Sequence, residues 1–281
     1  MSDWDVILTG LPRSGTNLTC TLLNQVDNTV ALAEPMNVGE LARAECRVEY
    51  VRRFLGQQRA TLQCDGTALT RHRGGVVRDN FFSDNAEEDG LRHSKSVREY
   101  IRFDKQLDSE PVIAVKHPSV FSALLPEFYG FFRCFALVRN PVSVLASWNA
   151  NSMKVRDGRA PAAENVDTSL RRKLDATADR IDRQLVLLDW FFGQFFKWLP
   201  DQNIVRYENL IESRGGALSV IVPAAQKLDV PLESRNTNSL YGWKKLRPVF
   251  DRLMQTDGAF WHFYSVTDVR RVLDAAGAGS E

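Results

Sequence analysis

Five side chains in this sequence are of the types that handle anions and protons: Arg13, Glu34, Lys116, His117 and Arg139. Arginine and lysine offer charge-assisted donors to phosphate or sulfate oxygens. A carboxylate or a neutral imidazole can take a proton from a reacting hydroxyl. Each of the five follows a short apolar run that reads as a buried strand. The runs are Val6-Ile7-Leu8, Thr29 to Ala33, Pro111 to Val115, and Phe131 to Val138. In parallel α/β sheets ligands bind beyond the carboxyl ends of the strands, so these four strand ends are expected to converge.

The most informative spacing surrounds Arg13. Gly10-Leu-Pro-Arg-Ser-Gly15-Thr16 joins the first strand to a helical pattern with Leu18, Leu22 and Leu23 on one face. A tight loop opening onto a helix N-terminus presents free N–H groups and the positive end of the helix dipole to an anion. The spacing Gly10-x4-Gly15 is that of an NTPase phosphate loop, which would continue with lysine and a hydroxyl residue. Here those positions hold Thr16 and Asn17. The loop therefore reads as a cradle for a phosphate-like group handled without a metal, with Arg13 as its cation.

The positioning elements follow from periodicity. A second strand over Thr29–Ala33 ends at Glu34, with Pro35 holding Glu34 extended. Helical spacing covers 39–56, and 57–95 reads as an irregular insert with a basic stretch at Arg71, His72, Arg73 and Arg78. A strand ends at Lys116-His117-Pro118, and a short helix follows from Ser119 to Leu125. Asn140 and Pro141 are a helix N-cap and first position. Residues 151–167 read as a mobile linker, and one long amphipathic helix is expected over 168–199. A last strand spans Asn203 to Tyr207, and helical patterns fill the remainder. Strands separated by helices predict an α/β fold with a central parallel sheet flanked by helices, in one domain over 1–281.

Composition narrows the partners. The 281 residues are 44% hydrophobic and 25% charged, values of a globular chain with ample core. Lysine plus arginine number 36 against 35 acidic residues, so no global field argues for nucleic acid or a membrane surface. Cys20, Cys46, Cys64 and Cys134 have neither metal-site nor disulfide spacing, which suits reduced thiols in a cytoplasmic protein. The first strand begins too early for a signal peptide, and the apolar window at 185–199 is too short to span a bilayer.

PRSGT after the first strand, RNPVSVLASW after a later one and VRYENL after the last together resemble the sulfotransferases that use 3′-phosphoadenosine 5′-phosphosulfate (PAPS). The resemblance covers about residues 5–36 and 111–212, with the motifs in order. It implies a P-loop-like three-layer fold. It also implies that Arg13, Ser14, Gly15, Thr16 and Asn17 hold the 5′-phosphosulfate, and that Arg139 and Ser147 grip the 3′-phosphate. Tyr207 would lie near the adenine. Tyr241-Gly-Trp-Lys244 is similar to a C-terminal nucleotide-contacting segment, which adds Lys244.

Glu34 falls where tyrosylprotein and carbohydrate sulfotransferases place a glutamate base. Cytosolic sulfotransferases use a histidine in Lys-Thr-His, and here Lys116-His117 lacks the middle residue. Neighbouring strand side chains point to opposite faces, so Glu34 ranks above His117 as the base. A carboxyl with a modestly raised pKa would suit the task. Arg13, Lys116 and His117 would stabilise charge on the leaving phosphate. The resemblance thus implies metal-independent sulfuryl transfer to a hydroxyl or amine of a small-molecule acceptor, releasing adenosine 3′,5′-bisphosphate (PAP). Association into homo-oligomers stays open. The alternatives are a P-loop kinase and a non-catalytic nucleotide-binding protein.

Overall fold

The computed structural model describes residues 4–277, so residues 1–3 and 278–281 of the expected domain lie outside the described residues. β1 (Asp5–Gly10) runs into α1 (Thr16–Leu23), and β2 (Thr29–Ala33) follows. Two helices, α2 (Val38–Arg43) and α3 (Arg47–Asp65), lead to a hairpin of β3 (Thr67–His72) and β4 (Val97–Arg102). Next come β5 (Val112–Lys116), α4 (Pro118–Phe128), β6 (Arg133–Val138) and α5 (Pro141–Asn149). Three helices, α6 (Pro161–Glu164), α7 (Thr168–Asp175) and α8 (Arg180–Trp198), precede β7 (Ile204–Arg206) and α9 (Tyr207–Glu212). The C-terminal part is mostly 3-10 turns, with α10 (Arg247–Met254) and α11 (Val266–Ala275).

Five strands form one parallel sheet in the order β2-β5-β1-β6-β7. Both faces are buried, which is why the strands read as continuous apolar runs. Alternate residues serve separate cores. Ile7, Val30, Leu32 and Val115 face one, packed with Phe121 and Leu124 of α4 and Phe191 of α8. Val6, Leu8, Ala31 and Leu137 face the other, packed with Cys20 and Leu23 of α1 and Leu210 of α9. Each large side chain so buried contributes about 1.5–3 kcal/mol. The chain leaves β1 towards β2 on one side and later crosses from β5 to β6 on the other. That reversal opens a crevice at the carboxyl end of β1, where a ligand site belongs.

Several expected elements differ. Residues 57–65 are not irregular; they complete α3, whose buried stripe is Val51, Leu55, Gln58 and Leu62. Gln58 hid the periodicity because it is polar, yet it is buried and its Oε1 accepts the Leu69 amide at 2.8 Å. The basic stretch at 71–72 belongs to β3, docked on the sheet by Thr70, whose hydroxyl accepts the Ala33 amide at 2.8 Å. The 151–167 linker is built of turns: a 3-10 turn at Lys154–Asp157 and helix α6, with Val155, Ala160 and Ala163 buried. The long helix over 168–199 is two, because Asp179 accepts from the Ile181 and Asp182 amides and starts α8 afresh. Likewise the 39–56 helix divides between α2 and α3, and Tyr207 opens α9 instead of ending a strand. Among the described residues, no helix is long and apolar enough to cross a membrane.

Candidate active site

Loops from all five strand ends line one cavity of about 760 Å³, within the usual size range of small-molecule sites. Arg13 follows β1, Glu34 follows β2, Lys116 ends β5 with His117 just after it, Arg139 follows β6 and Tyr207 follows β7; all of them line it.

The loop after β1 is tightly constrained. Gly10 has φ 146 and Gly15 φ 91, and a Cβ on Gly15 would lie 2.8 Å from Cδ2 of Tyr207. Glycine at position 15 is thus demanded twice, by backbone angle and by the tyrosine ring. Helix α1 starts at Thr16, so its first amides have no intrahelical acceptor and are free to meet an anion. Ser14 does not point there. Its hydroxyl is fully buried, its one proton shared between the Leu11 and Leu137 carbonyls, both at 2.8 Å. Trp148 of α5 fixes the loop from below, its indole N–H donating to the Pro12 carbonyl at 2.8 Å.

Arg13 and Arg139 form the cationic wall. Arg13 donates through Nε to Ser147 Oγ at 3.2 Å, and its guanidinium lies over the Phe82 ring at 4.8 Å. Burial, with Arg92 and Arg139 nearby, lowers its pKa to about 10. Arg139 is buried over the ring of Tyr207 at 4.6 Å and donates to the Arg13 carbonyl at 3.0 Å. It also donates to Asn236 Oδ1 at 2.8 Å, to the Arg235 carbonyl, and to Tyr241 Oη at 3.4 Å. Arg139 and Ser147 are therefore linked through Arg13 and Tyr241. The C-terminal segment supplies Arg235 and Tyr241 to the wall, two residues the sequence reading missed. Tyr241 stands in the same short motif that suggested Lys244. Lys244 itself is exposed and away from the cavity lining. Burial pushes the Tyr241 phenol up, but Arg139, Arg13 and a bond with Ser147 bring its pKa below the ordinary 10.

Glu34 and Lys116 meet at the floor. The Lys116 ammonium donates to Glu34 Oε1 and to Asn17 Oδ1, each at 2.6 Å, and its side chain is 2% exposed. One cation so joins the start of α1 to a carboxylate. Glu34 is not extended as Pro35 suggested. Its φ is 46, an uncommon left-handed value for a residue with a side chain. The Glu34 amide donates to the Lys116 carbonyl at 2.8 Å, continuing the β2–β5 ladder before the chain reverses. Burial acts to raise the Glu34 carboxyl, but the Lys116 charge and hydrogen bond, with Arg71 adding, hold it at about 2. The expected raised pKa is thus not found. The group is a carboxylate whose basicity is suppressed while Lys116 is on it.

His117 has a different task. Its Nε2 accepts the Met36 amide at 3.1 Å, and its ring packs edge-on to Phe121 at 5.0 Å between centroids. Burial drives its pKa down to about 3, so it is a neutral imidazole with its Nε2 lone pair already used. Lys116 and His117 both meet the 34–36 turn, since His117 has left the strand to cap α4 ahead of Pro118. The VRYENL glutamate, Glu208, is a structural hub. It accepts from the Asn140 amide, the Asn236 side chain and the Tyr264 hydroxyl at 3.1, 2.8 and 2.7 Å.

In comparisons with known proteins, the chain matches no protein-family model and no curated protein.

Proposed function

We propose that this protein is a PAPS-dependent sulfotransferase built on a P-loop-like sheet, moving a sulfuryl group to a hydroxyl or amine of a small acceptor. The observation that carries this reading is the Glu34–Lys116–Asn17 chain, with its two contacts of 2.6 Å. In-line sulfuryl transfer needs a proton acceptor on the entering oxygen and a cation on the leaving phosphate oxygen. Lys116 is itself such a cation, and it touches both Glu34, the candidate proton acceptor, and Asn17 at the start of α1.

In this reading the amides at Gly15, Thr16 and Asn17 and the Arg13 guanidinium hold the 5′-phosphosulfate, with Ser14 supporting the loop from within. Arg139, with Ser147 and Tyr241, meets the 3′-phosphate, and Tyr207 borders the adenine. An arriving anionic donor draws the Lys116 ammonium onto itself. That frees Glu34, whose burial then raises its basicity. The acceptor O–H proton passes to Glu34, the acceptor oxygen forms its bond to sulfur, and the sulfur–oxygen bond to the phosphate breaks. PAP leaves with the electron pair, its charge met by Lys116 and Arg13.

A ligand-dependent unfolding series tests the donor. PAP at about 100 times its dissociation constant should stabilise the fold by about 2.7 kcal/mol. ATP with Mg²⁺ should give much less. The reverse ranking would replace this reading with a P-loop kinase.

A further inference from the structure

The hairpin places two arginines where like charges repel. Arg71 on β3 and Arg98 on β4 are directly opposite in the antiparallel register, so their side chains leave the same face. Both line the cavity. Like charges in such a pair are destabilising unless an anion shares them. The protein supplies little compensation. Arg71 Nε lies 3.4 Å from Glu34 Oε2, but it is buried without a hydrogen-bond partner. Its Nη1 reaches Ser96 Oγ at 3.4 Å, and Arg98 donates to the Met36 carbonyl at 3.1 Å. The cavity's other carboxylates, Asp79 and Asp84, belong elsewhere: Asp84 pairs with Arg73 at 3.4 Å, and Asp79 acts on Arg13.

Glu34 separates two sides of the cavity. Its Oε1 faces Lys116, which also holds Asn17 of the anion loop, and its Oε2 faces Arg71. Resting on the sulfotransferase reading, we infer that Arg71, Arg98 and Ser96 form an oxyanion subsite for the acceptor. The preferred acceptor then carries a carboxylate or sulfate ester a few bonds from the group that Glu34 deprotonates. Two arginines leaving one face of the hairpin suit such planar or tetrahedral oxyanions, which each guanidinium can grip in bidentate fashion.

Calorimetric binding to the protein saturated with PAP tests this with matched probes. These are glucuronate against glucose, 4-hydroxybenzoate against phenol, and glucose 6-sulfate as the sulfate-ester arm. At least one anionic probe should bind about 10–100-fold more tightly than its neutral partner, the range of a charge-assisted contact. Arg98→Gln, which does not touch Glu34, should collapse that ratio, and Arg98→Lys should keep part of it. A comparison of the carboxylate and sulfate arms tells which oxyanion the pair prefers. Equal affinities within every pair, or an Arg98→Gln loss shared equally by anionic and neutral probes, would overturn the subsite while leaving the donor reading in place. Failure of PAP itself to bind would overturn the sulfotransferase reading, and the acceptor assignment with it.

Discussion

Lys116→Met should change the acid–base behaviour of Glu34 more than it changes the fold. The lysine holds Glu34 at 2.6 Å and accounts for the low carboxyl pKa of about 2, against an ordinary 4.5. Because the folded value is depressed, the pair contributes stability above about pH 4.5 that is lost as pH falls towards 2. An adjacent opposite charge lowers a carboxyl by about 1–3 pH units. The Glu34 side chain is 35% exposed to the cavity, so water screens part of this effect. A rise of about 1–2 pH units is therefore expected on removing the lysine, equivalent to about 1.4–2.7 kcal/mol of lost differential interaction. Carbon-detected NMR of the glutamate carboxyls reads this directly. In the parent protein Glu34 should stay ionised down to the acid limit of folding, whereas in Lys116→Met its midpoint should enter the range of about pH 3–4. An unchanged midpoint would mean that Lys116 does not govern the carboxylate, and the proposed hand-over from Glu34 to the donor would fail.

Further outcomes follow from the same geometry. His117→Leu leaves the buried Met36 amide without its acceptor and should cost about 1–3 kcal/mol in urea unfolding. It should not move the acid limb of activity, because His117 is neutral in the parent protein; a shifted limb would restore it as a base candidate. Gly15→Ala forces a Cβ against Tyr207 at φ 91, which should destabilise the fold by about 1–3 kcal/mol and weaken PAP binding measured by calorimetry. Trp148→Phe removes the bond to the Pro12 carbonyl and should cost about 1 kcal/mol of stability. Its effect on PAP affinity should exceed its effect on acceptor affinity, since the indole supports the loop between β1 and α1.

The sheet was legible because burial on both faces writes each strand as an unbroken apolar run, and the strand ends carried the charged residues with them. The tight loop between β1 and α1 was legible from its glycines. What escaped was decided by contacts between distant parts of the chain. Gln58 occupies a buried stripe position because Leu69 of the next strand gives it a partner. Asp179 restarts a helix that the Leu170 to Leu188 spacing reads as continuous. Glu34 adopts a left-handed angle despite the following proline, since its amide and carboxylate are both claimed by Lys116. Its depressed pKa could not be read from residue types, which supply the carboxylate but not the ammonium beside it. Tyr241 and Arg235 reach the cavity from a segment of turns that has no periodicity to read.

Sulfur-labelled PAPS, offered with a panel of hydroxyl, phenol, amine and sugar acceptors, tests the central claim most directly when parent protein and Glu34→Gln are run side by side. The parent protein should transfer label to at least one acceptor, and Glu34→Gln should lower turnover by about 10²–10⁴ while PAP affinity stays essentially the same. Full transfer by Glu34→Gln, or binding of PAP with no transfer to any acceptor by the parent protein, would contradict the account.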